Sequence, residues 1–125
     1  MEFSIGIKMK KLWSKINERF SRTKRSNGCD CQVRTITTDY YAGDADCYIG
    51  VCSKEPTTVH LPANPANGRI IIVKAEMKPP LGNRKITIVG QNGALIDGYS
   101  DYVISVSYES VTVLFRGKNW HIISM

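Results

Sequence analysis

Between Thr57 and Met125 the chain is a nearly unbroken series of short β signals, and that spacing limits what it can fold into. The runs are Thr57–Leu61, Arg69–Lys74, Lys85–Val89, Tyr102–Val106, Val111–Phe115 and Trp120–Ile123. Each is rich in Val, Ile, Thr and aromatics, and each is bounded by Gly, Pro, Asn or Asp. Segments this short do not form ordinary helices, and their regular spacing predicts a small antiparallel sandwich or barrel-like module. Val33–Thr38 and Asp46–Cys52 extend the same pattern toward the N-terminus.

The turns between these runs have suitable chemistry. Pro62–Gly68 contains two prolines that cannot donate and closes on Asn-Gly, which predicts a wide surface turn. Lys78–Asn83 is a second such turn, and Asn92-Gly93 and Asp97-Gly98 supply residues tolerant of positive φ. A weak internal repeat pairs Asp46–Val51 with Asp101–Val106 in a D-x-x-I-x-V pattern. Each copy is followed by a turn and two further strand runs, so the repeat predicts two related three-stranded meanders in two facing sheets.

Ahead of this β region lies a segment of different composition. Residues 5–20 place Met9, Leu12, Trp13, Ile16 and Phe20 on one helical face, with Lys8, Lys11, Lys15 and Arg22 mostly off it. Ser21–Gly28 is polar and closes on Asn-Gly, as a helix stop and linker would. The expected organisation is therefore residues 1–28 as a basic amphipathic helical extension and 29–125 as the β module. Residues 1–28 carry eight Lys and Arg against two Glu, while 29–125 carry nine basic and nine acidic residues. The whole net charge of +6 thus sits in the leader, and the β module has no electrostatic bias toward nucleic acid. The leader lacks a continuous apolar stretch, so neither a membrane span nor a secretory signal is expected.

With the chain expected to stay in a reducing compartment, Cys29, Cys31, Cys47 and Cys52 read as thiols or metal ligands rather than disulfides. Their C-x-C-x15-C-x4-C spacing departs from the C-x2-C knuckles of structural zinc sites. Small buried side chains are the favoured account, and no metal or cofactor is expected. Asp39, Asp44 and Asp46 lack the twelve-residue calcium-loop pattern and read as turn acids. His60 and His121 alternate with apolar strand neighbours, which turns them away from the core, and no motif makes either catalytic. Asp97 and Asp101 form no recognisable acid–base pair, because Asp97 before Gly98 is explained by its turn.

The segment from Asp46 to Ile123 resembles the recurrent β module of phage tail-fibre, tail-spike and head-fibre proteins. The residues carrying the resemblance are Val59–Gly68 with the Ile/Val strand after it, Ile86–Gly90, Ile96–Gly98, Ser110–Leu114 and Gly117–Ile123. They span over half the chain in a consistent order. Residues 1–33 lie outside it, and Cys47 and Cys52 stand where such modules usually have ordinary strand residues. The resemblance implies a non-enzymatic virion protein, commonly trimeric, made in a host bacterial cytoplasm and displayed on the particle. A module standing alone favours a short head-fibre or capsid-decoration component over a long tail fibre. Its partners would be other virion proteins (capsid, connector or tail), with a host-surface glycan or receptor as a further one.

A lone amphipathic helix is marginal in water unless its apolar stripe is covered. By itself the leader is open to an anionic membrane, a nucleic acid or a groove on a protein. Beside a phage-type module the protein groove moves ahead, with Met9, Leu12, Trp13, Ile16 and Phe20 as the anchor. The alternative reading is a nucleic-acid-binding accessory protein inside the capsid that uses the basic leader.

Overall fold

The computed structural model describes residues 31–125, and the expected leader helix and its anchor residues lie outside them. The described residues form nine strands and no helix. These are β1 (Gln32–Ile36), β2 (Tyr40–Tyr41), β3 (Asp46–Val51), β4 (Thr57–His60), β5 (Ile70–Ala75), β6 (Ile86–Val89), β7 (Asp101–Ile104), β8 (Ser110–Arg116) and β9 (Asn119–Ser124). They are arranged as a five-stranded sheet, ordered β1-β3-β5-β8-β9, and a four-stranded sheet, ordered β2-β4-β6-β7.

The chain order explains the pairing. From β1 to β6, successive strands alternate between the two sheets, so the chain winds as a flattened coil of three turns. Neighbours within a sheet are one coil apart and run parallel: β1 with β3, β3 with β5, β2 with β4, and β4 with β6. Parallel neighbours need a long crossover between them, usually a helix. Here the strand of the opposite sheet is the crossover. The coil ends where β7 turns back antiparallel on β6, and β8 on β5, with β9 completing a hairpin.

Two expectations are corrected by this order. The sheets are mixed rather than antiparallel, and there is no closed barrel. A Gly/Pro/Asn-rich corner that carries the chain between sheets resembles a hairpin turn in sequence, so turn chemistry alone could not separate the two. Nor does the repeat produce two meanders. Asp46–Val51 lies inside the parallel part of the larger sheet, whereas Asp101–Ile104 is the antiparallel edge of the smaller one.

The core lies between the sheets and follows the period-two alternation of each strand. Ile49 and Val51 on β3, Val59 on β4, Ile71 and Val73 on β5, Ile86 and Ile88 on β6 and Ile104 on β7 are all fully buried. Val111, Val113 and Trp120 complete the packing from β8 and β9. Burial of each such side chain contributes roughly 1.5–3 kcal/mol. His60 lies between buried Val59 and Leu61, and His121 between buried Trp120 and half-buried Ile122, so both face outward, as the alternation predicts. Gly117 closes the β8–β9 hairpin at φ 71°, the left-handed value that a type II′ turn requires at its first central residue.

Trp120 packs edge-on against Phe115 with ring centroids 5.2 Å apart, yet its buried Nε1 donor has no partner among the described residues. A buried unpaired donor costs about 1–3 kcal/mol. Trp120→Phe removes that donor and keeps most of the ring, so it should cost less than about 1.5 kcal/mol. Trp120→Ala should cost about 3–5 kcal/mol. Urea unfolding of both variants checks this, and equal losses would contradict it.

Candidate functional site

The coil has two ends, each built of loops, and the loops at one end lock to one another. Pro62–Gly68 follows β4, the 90–98 segment follows β6, and Gly117-Lys118 joins β8 to β9. Asn92 Nδ2 donates to the Ala63 carbonyl at 2.9 Å, and Gln91 Nε2 donates to the Leu61 carbonyl at 2.8 Å. The Gly117 amide donates to Asn67 Oδ1 at 2.8 Å, and the Leu95 amide to Asn119 Oδ1 at 2.9 Å. Asn92 adopts φ 57°, and Asp97-Gly98 forms a turn with both residues at positive φ, closed by the Ile96–Tyr99 bridge. These are the positions whose sequence predicted such conformations.

Arginine and aspartate fix the neighbouring corner between β2 and β3. Arg69 donates to the carbonyls of Gly43 and Asp44 at 3.0 and 2.9 Å, and also to that of Asp46. Asp46 itself is 1% exposed. It accepts from Tyr40 Oη at 2.6 Å, the Gly43 amide at 2.8 Å and Arg34 Nε at 2.9 Å. Burial pushes the Asp46 carboxyl up, but the bonds from Tyr40, Gly43 and Arg34 outweigh it and hold the group below its ordinary value. Asp46 is thus a buried structural hub rather than a solvated turn acid.

The other acids and the histidines are dispersed. Asp39 Oδ1 accepts from the Thr58 amide at 2.8 Å, and Asp97 Oδ1 from the Ile122 amide at 3.2 Å. His121 Nδ1 stands 3.9 Å from Asp97 Oδ1, with both side chains about half exposed, so that pair contributes little. His60 stacks on Tyr41 with centroids 3.8 Å apart. No group of three or more His, Cys, Asp or Glu among the described residues is arranged to hold a metal.

The cysteines depart from expectation. Cys31 and Cys47 form a disulfide, and Cys52 is an exposed free thiol. The parallel register of β1 against β3 slips here, with Gln32 opposite Asp46 but Val33 opposite Tyr48, so Cys47 is an extra residue on β3, and it lies at a Cα separation of 5.3 Å from Cys31, within bridging range. The expected reducing compartment points to thiols or metal ligands, and neither it nor the spacing of the cysteines carries information about strand register. The crosslink ties the edge strand β1 to the interior strand β3. Cys29 lies outside the described residues, as do Met9, Leu12, Trp13, Ile16 and Phe20.

Two shallow clefts open at the loop ends. One, of about 280 Å³, lies among the interlocked loops and is lined by Pro62, Asn64, Gln91, Asn92, Phe115 and Lys118. The other, of about 680 Å³, lies between the Thr37–Asp39 turn and the Cys52–Thr57 loop at the opposite end. Amides, prolines, a lysine and one aromatic ring give the first a mixed polar and apolar lining. It contains no nucleophile with a base beside it. Compared with known proteins, the chain matches no family model and no curated protein.

Two variants test this corner and loop chemistry. Because the Asp46 carboxyl is lowered on folding, its contribution is complete above the unfolded value near 3.9 and lost as pH falls through the folded one. Asp46→Asn should therefore cost about 2–3 kcal/mol at pH 7, and the gap to the wild type should narrow below about pH 4. A gap unchanged between pH 7 and pH 3 in urea unfolding would contradict this. Gly90 is the second position: an added Cβ there would lie 2.5 Å from the Ala94 carbonyl oxygen, a backbone atom that cannot swing away. Gly90→Ala should cost about 1–3 kcal/mol in the same assay.

Proposed function

We propose that this chain is a non-enzymatic structural protein of a phage particle, a short head-fibre, capsid-decoration or tail-appendage component. In this reading residues 1–28 attach it, residues 29–125 are the displayed β module, and three copies associate. One observation carries the proposal. The segments in which the sequence resembles phage fibre modules are scattered from Val59 to Ile123, yet Val59–Gly68, Ile96–Gly98 and Gly117–Ile123 meet at one end of the coil. They are joined there through Asn67, Asp97 and Asn119. Motifs that interlock in space support a module built as a unit, as distinct from separate chance matches.

The physical character of the module suits display. Its loops are held by side-chain-to-backbone bonds, and its clefts are open. Attachment then falls to the apolar stripe of the leader. Five apolar side chains including Trp13 and Phe20 represent several kcal/mol of burial at roughly 1.5–3 kcal/mol each. In a trimer three such segments act together through high effective concentration.

The test is incorporation. Trp13→Ala with Ile16→Ala should abolish recovery of the chain in purified particles while the β module still gives its β-sheet circular dichroism. Incorporation that survives this pair but fails when Pro62–Gly68 is altered would move attachment to the module. Salt-sensitive binding of the isolated chain to DNA, lost on deleting residues 1–28, would favour the accessory protein inside the capsid instead.

A further inference from the structure

The edge strand β1 is held to the module by little besides one sulfur–sulfur bond. It pairs on one side only, with β3, from Val33 opposite Tyr48 to Ile36 opposite Val51. Four of its five residues are exposed, Val33 at 75%, and Ile36 alone enters the core. Arg34 adds one side-chain link, its Nε donating to Asp46. Ordering the strand costs backbone entropy at every residue, and one buried side chain with one half-exposed ion pair offsets little of that. The Cys31–Cys47 bond stands at the head of the strand, where the register slip puts Cys47 as an extra residue on β3. Cys31 is exposed and Cys47 half-buried, so a small thiol in solution reaches the bond.

The rest of the module has its own supports. β3 is paired with β5 along its other edge. Asp46 keeps the Tyr40 hydroxyl and the Gly43 amide as donors when Arg34 departs. Just beyond the strand, Asp39 Oδ1 accepts from the Thr58 amide at 2.8 Å, which anchors the chain there and sets a hinge.

We propose that the Cys31–Cys47 pair is a redox latch on β1. Oxidised, it clamps the strand to β3; reduced, it lets β1 swing out about Asp39 while the rest of the module stays folded. Exposed disulfides are the labile and regulatory ones, whereas enclosed structural ones resist the thiol pool of a cell. Opening takes two equivalents of a low-molecular-weight monothiol such as glutathione. The first thiolate attacks Cys31 Sγ, and Cys47 Sγ leaves with the electron pair and takes up a proton. The second attacks the mixed disulfide, releasing Cys31 as a thiol and the small thiol as its own disulfide. Closing is the reverse, with that small disulfide as the oxidant.

The latch governs reach. Released, residues 31–38 add up to roughly 28 Å of slack between the module and the chain before residue 31. Clamped, they add none. The use of that slack rests on the reading above, in which the chain is made in a reducing cytoplasm, attaches through its leader and is displayed on a released particle. The tether is then long during attachment and short outside the cell.

The test uses the full chain with Cys29→Ser and Cys52→Ser, so that only the latch pair titrates. It is held in glutathione buffers, with free thiols read by alkylation and backbone amides by hydrogen exchange and mass spectrometry. At a cytoplasmic ratio of reduced to oxidised glutathione both thiols should alkylate. Protection of residues 32–36 should fall roughly tenfold or more. The amide of residue 52, which donates to the Ile36 carbonyl at 2.9 Å, should lose protection with them, while β5 keeps its own. Oxidised glutathione should restore the closed pattern. Cys47→Ser in the same background should show the open pattern in every buffer. A pair that stays oxidised at the cytoplasmic ratio would overturn the proposal, as would reduction that leaves residues 32–36 protected. Loss of protection in β5 together with β1, on reduction or in the Cys47→Ser chain, would also overturn it, because the bond would then hold the whole module. Absence of the chain from purified particles would defeat the virion role and leave these exchange patterns unchanged.

Discussion

Residues 31–125 depend on the row of Ile and Val side chains held between two narrow sheets. Each coil supplies one strand to each sheet, so no sheet can form without the other, and the backbone pairing and the core are made by the same turns of the chain. Ile49, Ile71 and Val73 from one side meet Val59, Ile86 and Ile88 from the other, all at zero exposure. The strands of the smaller sheet are only two to four residues long. Such short strands pair weakly by themselves, so their order comes from this shared interior and from the corners that feed chain into it.

Those corners are held by side chains that reach across loops. Arg69 gathers the carbonyls of Gly43, Asp44 and Asp46, and Arg84 does the same for Lys78, Pro80 and Leu81 at the other end. A planar guanidinium with several fixed donors suits this task better than a lysine ammonium, and desolvation at Arg69 lowers its pKa without neutralising it. The Cys31–Cys47 crosslink acts similarly at the start of the coil. A loop of about 15 residues closed in this way gains roughly 3 kcal/mol through restriction of the unfolded chain. The sheets remain open at β1, β9, β2 and β7, and of these edges β2 and β7 are short, which limits edge pairing.

The strands were legible in the sequence because their alternation is a property of each segment alone. β4, β5, β6, β8 and β9 fall where β-branched runs between turn residues place them, and Asn92 and Asp97 take the positive φ that their dipeptides suggest. Pairing was not legible, because it depends on which sheet each strand joins. β2 is two residues long and carries no periodic signal, so the first coil was invisible and Cys31 and Cys47 gave no sign of meeting. Asp46 read as an ordinary turn acid for the same reason. Its partners Arg34 and Tyr40 reach it only once β1, β2 and β3 are wound together. The outward half of the β5 run remains partly exposed, with Ile70 at 43%.

The coil leaves outside two loop ends, each with an open cleft. In the reading proposed above, these ends are displayed on a particle and the leader attaches the chain to it. The most direct measurement of that account is limited proteolysis of intact purified particles, followed by mass spectrometry of what is released and what is retained. The account predicts release of a fragment that begins close to residue 28 and extends to Met125, with the leader retained on the particle. A chain fully protected until the capsid is opened, or one absent from the particles, would contradict it.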